Sequence, residues 1–314
     1  MCCVSNVLIT GGSGFIGSHL TRELVKMGNN VTVFDNLFRS DNNSLKDLIE
    51  SKKIKFIKGD VRDEQAVDSA VKGMDYVFHL AAVCINYSVK FPKESLEINL
   101  MGSENVFRAA LKRKVKRIIF SSSASVYGDP KVLPMKEDSE LKPVTPYCLA
   151  KLASEHLLKF YGRSGLNYNI LRYFNVYGVG QKADAYYTSV ISLFIKRILS
   201  SQAPVIDGEG KQSMDFVNVK DIVQANVLAM NSETESEIYN VGTGISTTIA
   251  DLASILIKSL KVDVKPEFNK RDVIVSERRA DISKIQKIGF KVTVSASDGL
   301  SEVAKDIAEN LEKY

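Results

Sequence analysis

The sequence predicts an α/β protein built on one doubly wound parallel sheet with a smaller, partly interleaved C-terminal lobe, and three observations predict it. Short β-branched runs alternate with amphipathic segments up to about residue 123. Those runs are apolar almost throughout instead of alternating, as strands covered on both faces must be. The first run leads directly into the glycine-rich stretch "TGGSGFIGSHL", residues 10–20.

Taken in order, "NVLIT" reads as a strand and is followed by a helix from Phe15. "NVTVFD", a helix near 43–50, "IKFIKGD" and a helix near 64–71 continue the alternation, which ends with "MDYVFHLAA", a helix over 94–113 and "VKRIIFSSS". Beyond about residue 175 the pattern loosens into a helix near 186–200, then "GEGKQSMDFVNVKDIVQANVLAM", then mixed short elements and a terminal helix from about 298. Residues 1–175, with parts of about 213–242, are expected to form the sheet domain; 176–212 and 243–314 are expected to form the lobe.

Of the 314 residues, 45% are hydrophobic and 25% charged, enough to bury a large core. The net charge of +5 is scattered. Its densest run, "LKRKVKR" at 111–117, falls where a helix ends, so it reads as a cationic helix terminus and no nucleic-acid partner is expected. Cys2, Cys3, Cys84 and Cys148 lack ligand spacing, as do His19, His79 and His156, so no metal site is expected. "MCCVS" runs into "NVLIT" without a basic or long apolar leader. Lys196 and Arg197 interrupt the longest apolar stretch. These features predict a cytoplasmic chain with no membrane partner.

Gly12, Gly14 and Gly17 fit G-x-G-x-x-G, and Gly11, Gly14 and Gly17 fit a G-x-x-G-x-x-G variant. Placed between a strand and a helix, with Phe15 and Ile16 inside the turn, they let backbone approach a pyrophosphate that the helix N-terminus attracts. This marks the sheet as a Rossmann domain. Asp35, 18 positions past Gly17 and next to Asn36, suits the ribose hydroxyls and would repel a 2′-phosphate, which favours NAD over NADP. Arg39 is a counter-signal. "GDVRD" brings Asp60 and Val61 to the adenine side, and "HLAA" places Leu80, Ala81 and Ala82 at the next strand end.

Tyr147 and Lys151 share a helix face at i and i+4. Thr145 is a candidate cap and Pro146 suits the first helical position. An apolar stripe of Leu149, Leu152, Ala153, Leu157 and Phe160 along the same helix must pack on something. A tyrosine whose ordinary pKa is about 10 needs a nearby ammonium and a helix N-terminus to act as a base near neutrality. "FSSSASVYG" puts serines at a strand's carboxyl end, where open α/β sheets bind ligands. Ser123 is assigned to the sugar; Ser121 and Ser122 are assigned to turn backbone.

These motifs, with "LRYFNVYG", "GEGKQSMDFVNVKDI" and "YNVGTG", resemble the extended short-chain dehydrogenase/reductase superfamily, specifically NAD-dependent nucleotide-sugar 4-epimerases of the UDP-glucose type, over nearly the whole chain. The resemblance implies bound NAD, a UDP-sugar in the lobe, and Ser123, Tyr147 and Lys151 as the reactive triad. It adds Asn99 and Tyr173 to the cofactor residues. Val83, Ser125 and Asn175 join the substrate residues, with Phe174 beside them. A homodimer through the segments near 94–113 and 147–162 is implied as well. Two departures stand out: Ala124 and Ser125 replace the acidic pair of dehydratases, and Met214 replaces an arginine that pairs with the substrate diphosphate. Lys211, Arg271, Arg278 or Arg279 is left to supply that charge. Rival readings are a reductase, decarboxylase or 3,5-epimerase on a nucleotide sugar, and a non-catalytic dinucleotide-binding protein.

Overall fold

The computed structural model describes residues 4–181, 190–270 and 277–313, so Arg271 and the start of the helix expected near 186 lie outside the described residues. Six strands, β1 (Asn6–Thr10), β2 (Asn30–Asp35), β3 (Ile54–Lys58), β4 (Tyr76–His79), β5 (Arg117–Ser123) and β6 (Tyr168–Tyr173), pair with Glu237–Val241 in one seven-stranded sheet. Every pairing is parallel, in the order β3-β2-β1-β4-β5-β6 and then Glu237–Val241. The order reverses beside β1. That opens a crevice at the carboxyl ends of β1 and β4, the place where such sheets take ligands.

Seven helices lie between these strands: α1 (Phe15–Lys26), α2 (Lys46–Glu50), α3 (Glu64–Val71), α4 (Ile85–Lys90), α5 (Pro92–Leu96), α6 (Gly102–Lys112) and α7 (Pro146–Arg163). The single helix expected over 94–113 is α5 and α6 joined through a π-type turn, Glu97–Met101, and α4 precedes it without a sequence forecast. Asn99 sits in that turn, fully buried, its side chain spent on the backbone N–H and C=O of Val83 at 2.9 and 3.1 Å.

Buried clusters cover both sheet faces. Ile9, Val33, Ile119 and Leu171 belong to one; Leu8, Val77, Phe120 and Ile170 belong to the other. Neighbouring residues of one strand thus enter opposite cores, each burial contributing about 1.5–3 kcal/mol. A third cluster, with Phe194, Ile206, Leu252, Leu256 and Leu300, holds the smaller lobe around the helices Val190–Leu199, Ile249–Leu260 and Ala296–Glu309. Helix Val219–Asn231 and strand Glu237–Val241 return to the sheet, so the two parts interleave. Among the described residues no helix is long and apolar enough to cross a membrane.

The basic run at 111–117 is largely paired: Lys112 and Arg113 with Asp68, Lys116 with Asp75. Arg117 is buried and its Nη1 donates to the carbonyls of Ala229, Met230 and Ser232 at the end of helix Val219–Asn231. The expected solvated terminus is that of α6, whereas Arg117 is buried in β5 and its cation meets the end of another helix.

Candidate active site

The glycine bend is tightly built. Gly11 has φ +72° and lies so close to β4 that a Cβ there would meet the Ala81 nitrogen at 2.7 Å. A Cβ on Gly17 would meet the Gly11 carbonyl oxygen at 2.2 Å. Gly14 caps α1 without any side-chain bond, so the first-turn amides at Phe15, Ile16 and Gly17 keep their hydrogens for a ligand. Asp35, buried at the end of β2, accepts from the Ser13 and Leu37 amides at 3.1 and 2.8 Å. Burial raises its pKa and these bonds oppose the rise. Next to it, Asn36 and Arg62 both hold Asp60, whose pKa falls to about 2 chiefly through the Arg62 hydrogen bonds. Arg39, the possible phosphate partner, instead donates to the Cys84 sulfur at 2.8 Å. Cradle, acid and adenine-side residues together fit a dinucleotide whose ribose carries no phosphate.

Thr145 caps α7 by accepting from the Cys148 amide, with Pro146 at the first helical position. The face this helix buries is Cys148, Ala150, Lys151, Ser154, Glu155 and Leu158. Of the expected stripe, Leu152 and Leu157 pack against the two sheet cores, whereas Leu149 and Phe160 are 51% and 59% exposed and two charged residues point in. Among the described residues the expected apolar stripe finds no complete cover.

Lys151 is buried, donates to the Ser121 carbonyl at 2.7 Å, and sits 4.9 Å from the Phe120 ring centroid and 5.8 Å from that of Tyr147. Desolvation pulls its pKa down to about 7, against the opposing charge of Glu155. Ser123 ends β5, where its hydroxyl oxygen accepts from the Ser125 amide and hydroxyl at 3.2 and 2.9 Å. Tyr147, Lys151 and Ser123 are therefore gathered at the carboxyl end of β5, beside the crevice. Ser121 does bond backbone, donating to the His79 carbonyl, as expected. Ser122 does not: it donates to Glu155 Oε1 at 2.5 Å.

Other expected residues are placed as follows. Leu80, Ala81, Ala82 and buried Val83 follow β4, and Val61 is buried against Gly102. Tyr173 directs its hydroxyl to Asn226, and burial raises its pKa strongly. Phe174 is buried, and Asn175 donates its side-chain amide to the Asp215 carbonyl at 3.2 Å. Arg278 reaches Asp129 at 3.5 Å and Arg279 lies 3.4 Å from Glu277; the Nε of each is buried without a hydrogen-bond partner. Lys211 pairs with Glu209 on the surface. Met214 is on the short strand Ser213–Met214, paired with Glu277–Arg278, so Arg278 stands directly beside the position where the arginine is missing.

Sequence reasoning missed three groups. Glu155 and Arg172 form a bidentate ion pair that is wholly buried, with Nε–Oε1 2.9 Å and Nη2–Oε2 2.7 Å. Asp215, wholly buried, accepts from Thr243 N and Oγ1, Gly244 N and Ala280 N, tying the "GTG" loop to the segment carrying Arg278. His79 lies under the site: Ser103 donates to the Asn99 carbonyl, so His79 Nε2–H donates to Ser103 and Nδ1 accepts from Thr10. Burial lowers its pKa to about 3 and keeps it neutral. For Glu155 the available signal was a polar residue at a helix position that shares the face of Lys151, four residues on.

A parallel sheet of this order, the glycine cradle and a Tyr-Lys-Ser set define the class: a dinucleotide-dependent enzyme of the extended short-chain dehydrogenase/reductase fold. Within that class the chain belongs to the NAD dependent epimerase/dehydratase family, whose model matches residues 7–242. NAD is the cofactor of this family. Among solved structures, the UDP-N-acetylglucosamine 4-epimerase of Methanobrevibacter ruminantium M1, in complex with UDP-N-acetylmuramic acid, is 37% identical, with TM-score 0.91 and coverage of 98% of this chain and 99% of that one. The UDP-glucose 4-epimerase of Thermotoga maritima with UDP-glucose is 34% identical, with TM-score 0.90 and the same coverage of 98% and 99%. A UDP-N-acetyl-alpha-D-glucosaminuronate decarboxylase of Bacillus cytotoxicus is 33% identical, over 94% of this chain and 95% of its own.

Proposed function

We propose that this chain epimerises a UDP-hexose at C4. The observation that carries the reading is the buried Lys151, fixed to the Ser121 carbonyl with the Tyr147 ring one turn before it and Ser123 at the same strand end. When bound, NAD supplies a hydride acceptor that can also return the hydride. The chain's own residues do the rest. Tyr147, as phenolate, takes the proton of the sugar 4-hydroxyl and gives it back; Lys151 stabilises the phenolate by its charge; Ser123 donates to the same sugar oxygen. The nucleotide diphosphate meets Arg278 and Arg279: Arg278 stands in register with Met214, and the buried Nε of each has no hydrogen-bond partner. Ala124 and Ser125 follow Ser123, so no carboxylate stands there to expel a 6-hydroxyl, which separates this reading from dehydration.

A second copy of the chain covers the outward face of α7 and of the π-type turn before α6, where Leu149, Phe160 and Met101 are exposed. NAD-loaded protein incubated with UDP-glucose, UDP-N-acetylglucosamine and UDP-glucuronate, without added NAD, should yield the C4 epimer of at least one. Tyr147→Phe should lose the activity by at least about 100-fold while keeping NAD. Carbon dioxide release from UDP-glucuronate with no epimer formed would assign the chain to decarboxylation instead.

A further inference from the structure

The pair at the base of the site has no need to be ionic. Replacing a buried ion pair by apolar residues of similar volume is commonly neutral or stabilising, so burial of Glu155 and Arg172 is weak evidence of a structural purpose. Their placement points elsewhere. Glu155 stands one turn beyond Lys151 on α7, and its two carboxylate oxygens are held by three donors: Arg172 Nε and Nη2 from β6, and Ser122 Oγ from β5. Arg172 is itself fixed from a second side, its Nη1 donating to the Tyr127 hydroxyl at 2.8 Å and the Glu137 carbonyl at 2.9 Å. Tyr127 passes its hydrogen to Asn240, whose amide donates to the Met135 carbonyl. The carboxylate therefore cannot swing away from the helix face it shares with Lys151.

Resting on the reaction proposed above, we propose that Glu155, clamped by Arg172 and Ser122, is a positioning residue that keeps the proton shared by Tyr147 and Lys151 on the lysine. The two protonation patterns, phenolate with ammonium and phenol with amine, carry the same number of protons, and only the first can take a proton from a sugar. A negative charge nearer the lysine than the phenol favours the first pattern. The surroundings otherwise oppose it. Lys151 is buried, which penalises the ammonium, and its fall to about 7 is resisted by Glu155. His79 from β4 is neutral. Tyr127, from the turn after β5, and Arg172, from β6, are bonded to each other. The acids of α5 and α6 are engaged elsewhere: Glu94 with Tyr87, and Glu104 with Tyr161 and Arg108. Asn99 and Ser95, which pack against α7 from the π-type turn and α5, carry no charge. Glu155 is thus the carboxylate that shares the buried face of α7 with Lys151.

The test uses the NAD-loaded protein and the variants Glu155→Gln, Glu155→Asp and Ser122→Ala, with NAD content and thermal unfolding as checks of fold. Two readouts are taken across pH 6–10: kcat with KM on the converted sugar, and tyrosinate absorbance as the difference between each protein and the same protein carrying Tyr147→Phe. For Glu155→Gln the expected result is an alkaline limb of kcat lowered by about one pH unit, kcat near pH 8 about tenfold lower, KM little changed, and a weaker tyrosinate signal at that pH. Glu155→Asp recovers most of both signals. Ser122→Ala moves them the same way by about two- to threefold. A Glu155→Gln protein whose pH profile and tyrosinate titration superimpose on the parent's overturns the inference; if that variant does not fold, an unmoved titration in Ser122→Ala overturns it. The tyrosinate titration needs no sugar, so a moved titration without turnover in the parent defeats the epimerase reading alone, and turnover with an unmoved titration defeats the clamp alone.

Discussion

Replacing Gly17 with alanine sets two effects of known size against each other. Alanine in a helix interior is favoured over glycine by about 1 kcal/mol, and Gly17 lies inside α1, so propensity alone forecasts a more stable protein. The added Cβ, however, would stand 2.2 Å from the Gly11 oxygen and 2.7 Å from the Gly12 Cα. Relief requires the loop to move by more than about 1 Å, since ordinary contact begins near 3.4 Å. Gly11 has nowhere to go. Its amide is bonded to the Phe34 carbonyl at 2.9 Å, and its own α-carbon faces the Ala81 backbone too closely for a Cβ. Overpacking of this kind costs about 1–3 kcal/mol, so the net result is a loss of about 0–2 kcal/mol of stability. The cofactor should suffer more, because the amides that meet the diphosphate move with the loop, and each charge-assisted bond lost is worth about 1.5–3 kcal/mol. Urea unfolding of the apoprotein and calorimetric titration with NAD measure the two separately, with NAD affinity expected to fall about 10- to 100-fold. A Gly17→Ala protein more stable by about 1 kcal/mol with unchanged NAD affinity would refute the steric argument.

His79 is neutral in the fold with its pKa lowered to about 3, so it contributes stability that is fully present above its unfolded value near 6.5 and is lost as pH falls from there toward 3. Unfolding free energy measured between pH 7 and 4 should therefore decline less steeply in His79→Asn than in the parent. In Asp215→Asn a buried amide cannot accept all the bonds that now fix Thr243, Gly244 and Ala280, so stability should drop by about 1–3 kcal/mol and substrate KM should rise as Arg278 loosens; an unchanged KM would detach Asp215 from the substrate side. Sedimentation of Leu149→Lys/Phe160→Lys should show a smaller species than the parent, because lysines on the exposed stripe oppose its burial against a second copy. Equal sedimentation of the two proteins would remove α7 from any interface.

The glycine cradle, Asp35, the order of strand and helix through β5, and the Tyr147-Lys151 pair were legible in the residues, because each depends on neighbours within about 20 positions and on backbone rules of short range. Thr145 and Pro146 announced α7 for the same reason. What the pattern left open was which residues of α7 the core accepts. Its apolar residues suggested a buried stripe, yet Lys151 and Glu155 take the interior while Leu149 and Phe160 stay outside. Periodicity reports that a helix has two faces; which one the core accepts depends on what β5 and β6 offer, and here they offer the Ser121 carbonyl, Ser122 and Arg172. The hub at Asp215 was hidden likewise, since its partners are 28 to 65 residues away in sequence. The sequence by itself determined the sheet, its cofactor and the placing of Tyr147 and Lys151 on one helix, whereas tertiary structure alone decided the partners of buried charge, because a charge taken out of water must be matched by whatever groups the folded chain brings within reach.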